Sequence, residues 1–229
     1  MKIASLNVKI LQYYEERLNQ IVKLILDNEV DIICFQEMTR LAIERIARDT
    51  QMKYVFRYGN AIMTKLPFID TRYIGLFSYR GAIKAKIQYE DIVLNIVATH
   101  LDHLSEDVRI KQIEKLKPQL ENADFLIGDM NALCQYDYGK NKTKKINESR
   151  LNAKLEKFRC EVVDLILNDG FKINDFICPT CPYGTRVDYI FIKEDKLNKK
   201  RKFKQSHEVI DTIENGTTDH NMLIVELTT

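Results

Sequence analysis

Apolar runs that stop on carboxylates are the feature of this chain that most restricts its fold. Val30-Asp31-Ile32-Ile33-Cys34-Phe35 runs into Gln36-Glu37, and Asp124-Phe125-Leu126-Ile127 runs into Gly128-Asp129-Met130-Asn131. A third run, Ile92 to Ala98, ends in Thr99-His100; Val187-Asp188-Tyr189-Ile190-Phe191-Ile192 carries an acid inside it, and Thr218-Asp219-His220-Asn221 is attached to the final strand. Short apolar runs bounded in this way read as buried strands. Ionised carboxylates at the ends of such strands are costly unless they are paired or bound to a metal. The pattern therefore predicts one acidic metal site with a histidine, assembled where several strands end.

Helical spacing of Leu18, Ile21, Val22 and Ile25 predicts a helix from Glu15 to about Asn28. Shorter periodic stretches predict helices over Leu41 to Arg48, Val108 to Leu120 and Leu151 to Asn168, the last ending at Gly170. Strands are expected around Tyr54 to Phe56, Ala61 to Thr64, Thr71 to Gly75, Ala82 to Tyr89 and Ile92 to Ala98, joined by short turns that imply antiparallel pairing. The order, helix between strands and then a run of strands, occurs twice and implies two comparable halves. Two sheets packed face to face with helices outside would bury every apolar face. With 229 residues, 45% hydrophobic, and no composition break or low-complexity linker, a single domain over residues 1–229 is expected.

The first strand starts at Lys2, which leaves no room for a secretory leader, and no apolar run approaches membrane-spanning length, so an intracellular, cytoplasmic protein is expected. Five cysteines fit a reducing compartment. Cys178-Pro179-Thr180-Cys181 alone has metal-like or redox-like spacing, but no second ligand pair accompanies it, which favours an ordinary loop. The net charge is only +2, from 35 basic and 33 acidic residues, so the global field does not announce a nucleic-acid binder. Distribution says more. Lys140, Lys142, Lys144, Lys145, Arg150, Lys154, Lys157 and Arg159 crowd the stretch that follows Asp129 and Asn131, and a second basic run covers Lys196 to Lys204. The first is either a phosphate-binding surface or a solvated face; the second reads as solvated.

Asn7, Gln36-Glu37, Gly59-Asn60-Ala61-Ile62-Met63-Thr64-Lys65-Leu66-Pro67, Arg80-Gly81-Ala82, Thr99-His100-Leu101-Asp102-His103, Gly128-Asp129-Met130-Asn131-Ala132, Arg186-Val187-Asp188-Tyr189-Ile190-Phe191 and Thr218-Asp219-His220 come in an order that resembles the endonuclease/exonuclease/phosphatase superfamily, the relatives of deoxyribonuclease I. The resemblance implies an α/β fold, a four-layer α/β/β/α sandwich of two mixed, largely antiparallel sheets. It also implies roles. Glu37 and Asn7 match the principal metal-site residues, with Asp219 near the metal or water, and oxygen donors of this kind suit Mg²⁺, with Mn²⁺ as the alternative. Asp129 matches the residue that orients or deprotonates the attacking water; Asn131, two positions on, is expected on the same sheet face, holding the phosphate. His220 matches the histidine beside the scissile phosphate, with Asp188 as its orienting acid, and His100 matches a donor to the phosphoryl oxygens.

Lys9, Arg80, Arg109, Lys142, Lys144 and Lys145 are the candidate substrate-binding residues. Arg80 can equally brace a loop through a carboxylate, and Arg109 with Gln112, one helical turn on, can brace the site. Asp188 can be read as a satisfied buried acid, Asn7 as a turn residue, and His103 as surface polar. Tyr13, Tyr14, Tyr136 and Tyr138 fall on connections, where rings stack on a base or simply pack. Lys9 stands where the apurinic-endonuclease branch has an acid, and Thr99-His100 where it has a tyrosine, so an abasic-site enzyme is disfavoured. The resemblance is to compact metal-dependent hydrolases. The expected activity is Mg²⁺-dependent cleavage of phosphate esters by in-line attack of water, on nucleic acid first, by a monomer. Phosphoinositides, sphingomyelin-like lipids or nucleotides are the alternative substrates, and a silent binding module is a different class that intact Glu37, Asp129, Asn131 and His220 disfavour.

Overall fold

The structure is a computed structural model that describes residues 1–9, 15–152, 156–173 and 178–229. Tyr13, Tyr14 and Lys154 lie outside the described residues. One sheet holds β1 (Lys2–Asn7), β2 (Ile32–Gln36), β3 (Lys53–Arg57), β4 (Asn60–Thr64), β10 (Lys204–Ile210) and β11 (Met222–Thr228), in the order β10-β11-β1-β2-β4-β3. The other holds β5 (Phe68–Gly75), β6 (Gly81–Tyr89), β7 (Ile92–His100), β8 (Phe125–Asp129) and β9 (Asp188–Ile192), in chain order. The halves correspond. In each, one parallel pair, β1 with β2 or β7 with β8, is joined through a helix, and the other pairings are antiparallel. Those helices are α1 (Glu15–Asp27) and α3 (Glu106–Leu120).

Alternation along the strands sorts side chains into layers. Ile3, Ile32, Cys34, Ile96, Phe125, Ile127, Ile190 and Ile192 meet between the sheets. Leu6, Ile33 and Phe35 face the other way, against Leu18, Ile21 and Ile25 of α1 and Ile43 and Ile46 of α2 (Arg40–Thr50). Leu126 and Phe191 pack under Ile113 and Leu116 of α3 and Val162, Val163 and Ile166 of α5 (Glu161–Asn168). The result is the α/β/β/α layering expected. Among the described residues no helix is long and apolar enough to cross a membrane.

Two expectations are corrected. The helix expected over Leu151 to Asn168 is two, α4 (Lys140–Asn152) and α5, because the apolar residues that pack are confined to α5, while α4 buries only Ile146. Glu106 Oε1 accepts the Val162 amide at 2.9 Å and fixes where α5 begins. The cluster Thr218 to Asn221 stands before the final strand, and antiparallel pairing of β11 with β1 carries it to the end of β1. The second basic run forms α6 (Glu194–Lys200) and the approach to β10; Lys199, Lys202 and Lys204 are exposed, as a solvated run would be, while Lys200 pairs with Asp124 at 2.5 Å and Arg201 with Glu90 and Asp91.

The β5–β6 turn is built in an unusual way. Ser78 and Tyr79 both take left-handed backbone, φ 59° and 57°, in a turn closed by Leu76 N–H donating to Arg80 O at 2.8 Å. Such turns favour Asn-Gly because a Cβ is crowded there. Tyr79 is 98% exposed, so its ring contributes almost no burial to offset that cost. Tyr79→Gly is expected to raise the unfolding free energy by about 0.5–1 kcal/mol. Urea denaturation measures it; a loss of stability would show that the ring, not the backbone, governs this turn.

Candidate active site

Inner-face alternation and the direction of the parallel pairs bring the polar ends to one edge of the sandwich. Asn7 continues the inner face of Ile3, His100 that of Ile96, Asp129 that of Phe125 and Ile127, and Asp188 that of Ile190 and Ile192. In register His100 stands opposite Asp129, and Asp129 opposite Asp188. The sheets are joined here. Asn7 Nδ2 donates to Asp129 Oδ2 at 2.9 Å and lies 3.4 Å from Glu37 Oε1, while Asn7 Oδ1 accepts the Lys9 amide at 2.9 Å.

Several of these positions need special backbone. Gly128 has φ +142°, and a Cβ there would stand 1.9 Å from Thr99 O across the β7–β8 pair, so only glycine lets the strand reach Asp129 in register. Glu37 and Asn131 both sit in the left-handed region, φ 55° and 49°. Asn131 therefore does not reach the site by strand alternation, as expected above. It does so through a turn in which its N–H donates to Asp129 Oδ1 at 2.8 Å. Backbone of this kind persists where the surroundings over-determine it, and active sites collect it.

The two histidines are driven in opposite directions. Burial, with Arg80 beside it, holds His100 down at about 4 against the pull of Asp129, so the ring is neutral. Two donors face the ring: Arg80 Nη1 lies 3.1 Å from Nδ1 and Asn131 Nδ2 lies 3.0 Å from Nε2, so a neutral imidazole accepts from one of them and carries its proton on the other nitrogen. Nε2 also lies 3.6 Å from Asp129 Oδ2. Burial also works against charge on His220, but Asp188, hydrogen-bonded to Nδ1 at 2.8 Å, overrides it and lifts the ring to about 10. Asp188 is itself positioned: Thr180 Oγ1 accepts the Val187 and Asp188 amides at 3.0 and 3.1 Å. Thr180 is the useful residue of the Cys178 to Cys181 segment, which leads into a turn closed by the Gly184 amide donating to Cys181 O at 3.1 Å, with Cys181 Sγ 3.3 Å from Thr185 O. No sequence signal marked Thr180 apart from that spacing.

Glu37, Met38, Tyr58, Arg80, His100 and Asn131 line a groove of about 450 Å³ over these groups. Arg80 enters it through His100, not through a carboxylate, and its other terminal nitrogen reaches His103 Nδ1 at 3.3 Å. Lys9 lies on the opposite side and pairs with Asp219 at 2.6 Å, which raises the lysine's pKa through that hydrogen bond and charge. Lys142, Lys144 and Lys145 are exposed on α4, with Lys142 5.2 Å from the Tyr138 ring. Tyr138 packs against Phe158 and accepts the Arg186 amide at 2.7 Å, whereas Tyr136 is exposed.

Arg109 is corrected as a substrate-binding residue. It is 1% exposed; Nε donates to Glu106 Oε2 and Nη1 to Asp102 O, both at 2.8 Å, and Nη2 pairs with Glu156. Gln112 is likewise a brace, accepting the Asp102 amide at 2.9 Å and donating to Phe77 O at 2.8 Å, so it ties the turn before Arg80 to the loop after His100.

The donor set suits a hard divalent cation. Glu37 makes no ion pair with a cationic side chain among the described residues, and Asp188 Oδ1 and Asp219 Oδ1 are buried without a hydrogen-bond partner. Asp129, Asp188 and His220 also converge, with one ligand atom of each within 4.8 Å of the others.

A sandwich of this order, with acids, amides and histidines gathered at its strand ends, defines the deoxyribonuclease I-like class of hydrolytic phosphoesterases. The chain matches the model of the Endonuclease/Exonuclease/phosphatase family over residues 4–220 and belongs to that family. A functionally unknown conserved protein from Enterococcus faecalis superposes with a TM-score of 0.73 at 19% identity, over 100% of this chain and 99% of that one. Mannosyl-6-phosphatase from Bacteroides thetaiotaomicron gives 0.70 at 12% identity over 100% of both chains. The human Nocturnin catalytic domain with bound sulfate gives 0.70 at 17%, over 100% of this chain and 93% of that one. Comparison with curated protein sequences finds no match.

Because Arg109 is the sole cation binding Glu106 among the described residues, Arg109→Gln leaves a fully buried carboxylate unpaired. A loss of about 3–5 kcal/mol is expected in denaturant unfolding. A loss under about 1 kcal/mol would mean that Glu106 takes a proton and the network is not needed.

Proposed function

We propose that the chain is a Mg²⁺-dependent phosphodiesterase whose first substrate is nucleic acid, acting as a monomer through one catalytic domain. The observation that carries this is the convergence of Glu37, Asp129, Asn131, His100 and His220 on one groove, with Asn7 hydrogen-bonded to Asp129 and Asp188 to His220 behind them, and Asp219 on the adjoining cavity. Glu37 and Asn7 would hold the cation, with Asp219 near it; Mn²⁺ is the other ion the donors suit. When bound, the ion supplies positive charge against the phosphate and the departing oxygen.

The remaining steps belong to the chain's own groups. Asp129, buried and accepting from Asn7 and the Asn131 amide, orients the attacking water and takes its proton. The Asn131 side-chain amide donates to a phosphoryl oxygen as charge builds, and neutral His100, in the tautomer that carries its proton on Nε2, donates beside it. His220, held at Nδ1 by Asp188, presents a protonated Nε2 to the phosphate from the other side. Arg80 neutralises the charge of the bound ester at the groove's rim.

The rim favours nucleic acid over a lipid head group. Tyr58 lines the groove with the Arg57 guanidinium 4.8 Å from its ring, and exposed Tyr79 stands beside Arg80. Aromatic and cationic side chains interleaved along a groove suit unpaired bases and their backbone.

Hydrolysis of a generic aryl phosphodiester and of single- and double-stranded DNA and RNA tests the reading. Activity should vanish in EDTA and return with Mg²⁺, and Glu37→Gln should abolish it with the fold intact by circular dichroism. Asp188→Asn should cost roughly a thousandfold by misorienting the imidazole. Activity that survives EDTA or Glu37→Gln would sink the mechanism.

The basic helix generates a separate expectation. Helical spacing puts Lys142 and Lys145 on the face of Ile146 and Ser149, toward the site, and Lys140 and Lys144 on the far face. Replacing Lys142 and Lys145 by Ser should flatten the slope of log affinity against log salt for single strands by about 0.7 per lost phosphate contact. The same change at Lys140 and Lys144 should leave it unaltered, and equal slopes in both variants would remove α4 from the nucleic-acid surface.

A further inference from the structure

Beside the catalytic groove lies a second, more enclosed cavity of about 110 Å³, between α4 and the segment that leads into β9. It shares His103, Asn131 and His220 with the groove, so whatever fills it is attached to, or touches, the group being cleaved. An engineered cavity of roughly 150 Å³ holds one benzene ring. This one therefore admits a single small group and excludes a duplex.

Its chemistry is set by Arg150. The guanidinium is half-buried, and its Nε donates to Glu156 O at 2.7 Å. Its two terminal nitrogens have no hydrogen-bond partner among the described residues. Glu106 and Glu156 balance the charge from a distance, but their oxygens are taken by Arg109 and by the Val162 and Glu106 amides. Asp219, the carboxylate on the cavity wall, is held by Lys9. Ser149 adds a hydroxyl at the mouth, and Ile146 and Val187 supply an apolar floor. Forked donors without a partner among the described residues, on the wall of a small cavity, fit an oxyanion.

We propose that this cavity is a subsite for a second anionic group of the substrate, a phosphate or carboxylate carried by the substituent on the scissile phosphate, with Arg150 as its ligand. The inference rests on the phosphoesterase reading and narrows it: the preferred substrate is a compact ester that carries a further oxyanion, or a strand whose end carries one. Two sources share that chemistry, a terminal phosphate of an oligonucleotide and the second phosphate of a sugar bisphosphate.

Binding and turnover test it separately. In EDTA, with no divalent ion present, inorganic phosphate should raise the wild-type melting temperature, and Arg150→Gln should lose most of that shift. Ser149→Asp, which leaves the Arg150–Glu156 contact in place and sets a negative charge at the mouth, should lose it too, so a folding defect in the first variant cannot decide the outcome. With Mg²⁺, kcat/KM is compared within two matched pairs, a 5′-phosphorylated against a 5′-hydroxyl dinucleotide and a sugar bisphosphate against its monophosphate. The preferred pair should show a preference of about tenfold or more for the extra phosphate, as one charge-assisted contact provides. That ratio should fall to about one in both variants. The pair that shows it identifies the source. No phosphate-dependent shift in the wild type, a shift retained in both variants, or no preference in either pair overturns the subsite. Absence of hydrolysis on every ester would sink the hydrolase reading, while the phosphate titration would still decide the subsite.

Discussion

One hydrogen bond across the sandwich, from Asn7 Nδ2 to Asp129 Oδ2, is the contact on which the site's geometry turns. Both residues are almost fully buried, and each lies at the end of a central strand in a different sheet. A buried carboxylate without a partner costs several kcal/mol, on the order of the whole stability margin of a domain. The amide is therefore as much a tether between sheets as a local contact. Thr218 Oγ1 adds to it by donating to Asn7 O at 2.9 Å, so the segment carrying Asp219 and His220 is fastened to the same strand end. The site is built on the ends of β1, β2, β7 and β8, the start of β9 and the turns beside them, and the apolar layer between the sheets sets their spacing.

That arrangement explains why two histidines within one groove carry different charge. His100 stands against Arg80 and inside the sandwich, where nothing stabilises an imidazolium strongly enough to offset burial. His220 stands against Asp188, whose fixed orientation comes from Thr180. One ring is held neutral and the other is held as a cation. The pair of environments, rather than the residue type, decides which histidine does which task.

Much of this was legible in the sequence because burial forces periodicity. Apolar runs ending on Glu37, Asp129 and His100 identified strand ends, and the repeated order of strand, helix and strands gave the paired sheets. The pairing of Asp188 with His220, expected from the family resemblance, has the geometry found here. What was not legible shares a physical cause, since it depends on contacts far apart in sequence. Arg109 looks like any helical arginine until Glu106 and Glu156 close around it. Asn131 reaches its place through a left-handed turn that alternation does not foresee. The break between α4 and α5 is set by which side chains find a core, and the polar composition of residues 140–160 contains no stop signal strong enough to show it.

The same helix shows how a shared catalytic end acquires its own selectivity. Strands fix Asn7, Asp129 and Asp188 with almost no freedom, because a shift of one residue would turn each side chain to the wrong face. Helix α4 has no such restriction: it buries a single residue, Ile146, and is mostly polar. Its placement is decided by a few polar ties, among them Arg150 to Glu156 O and the Phe158 amide to Asn147 Oδ1. A segment held so lightly can vary in sequence without disturbing the chemistry beneath it, yet it still walls the cavity that adjoins His220. Selectivity in this chain therefore belongs to the part of the structure that contributes least to holding the fold together.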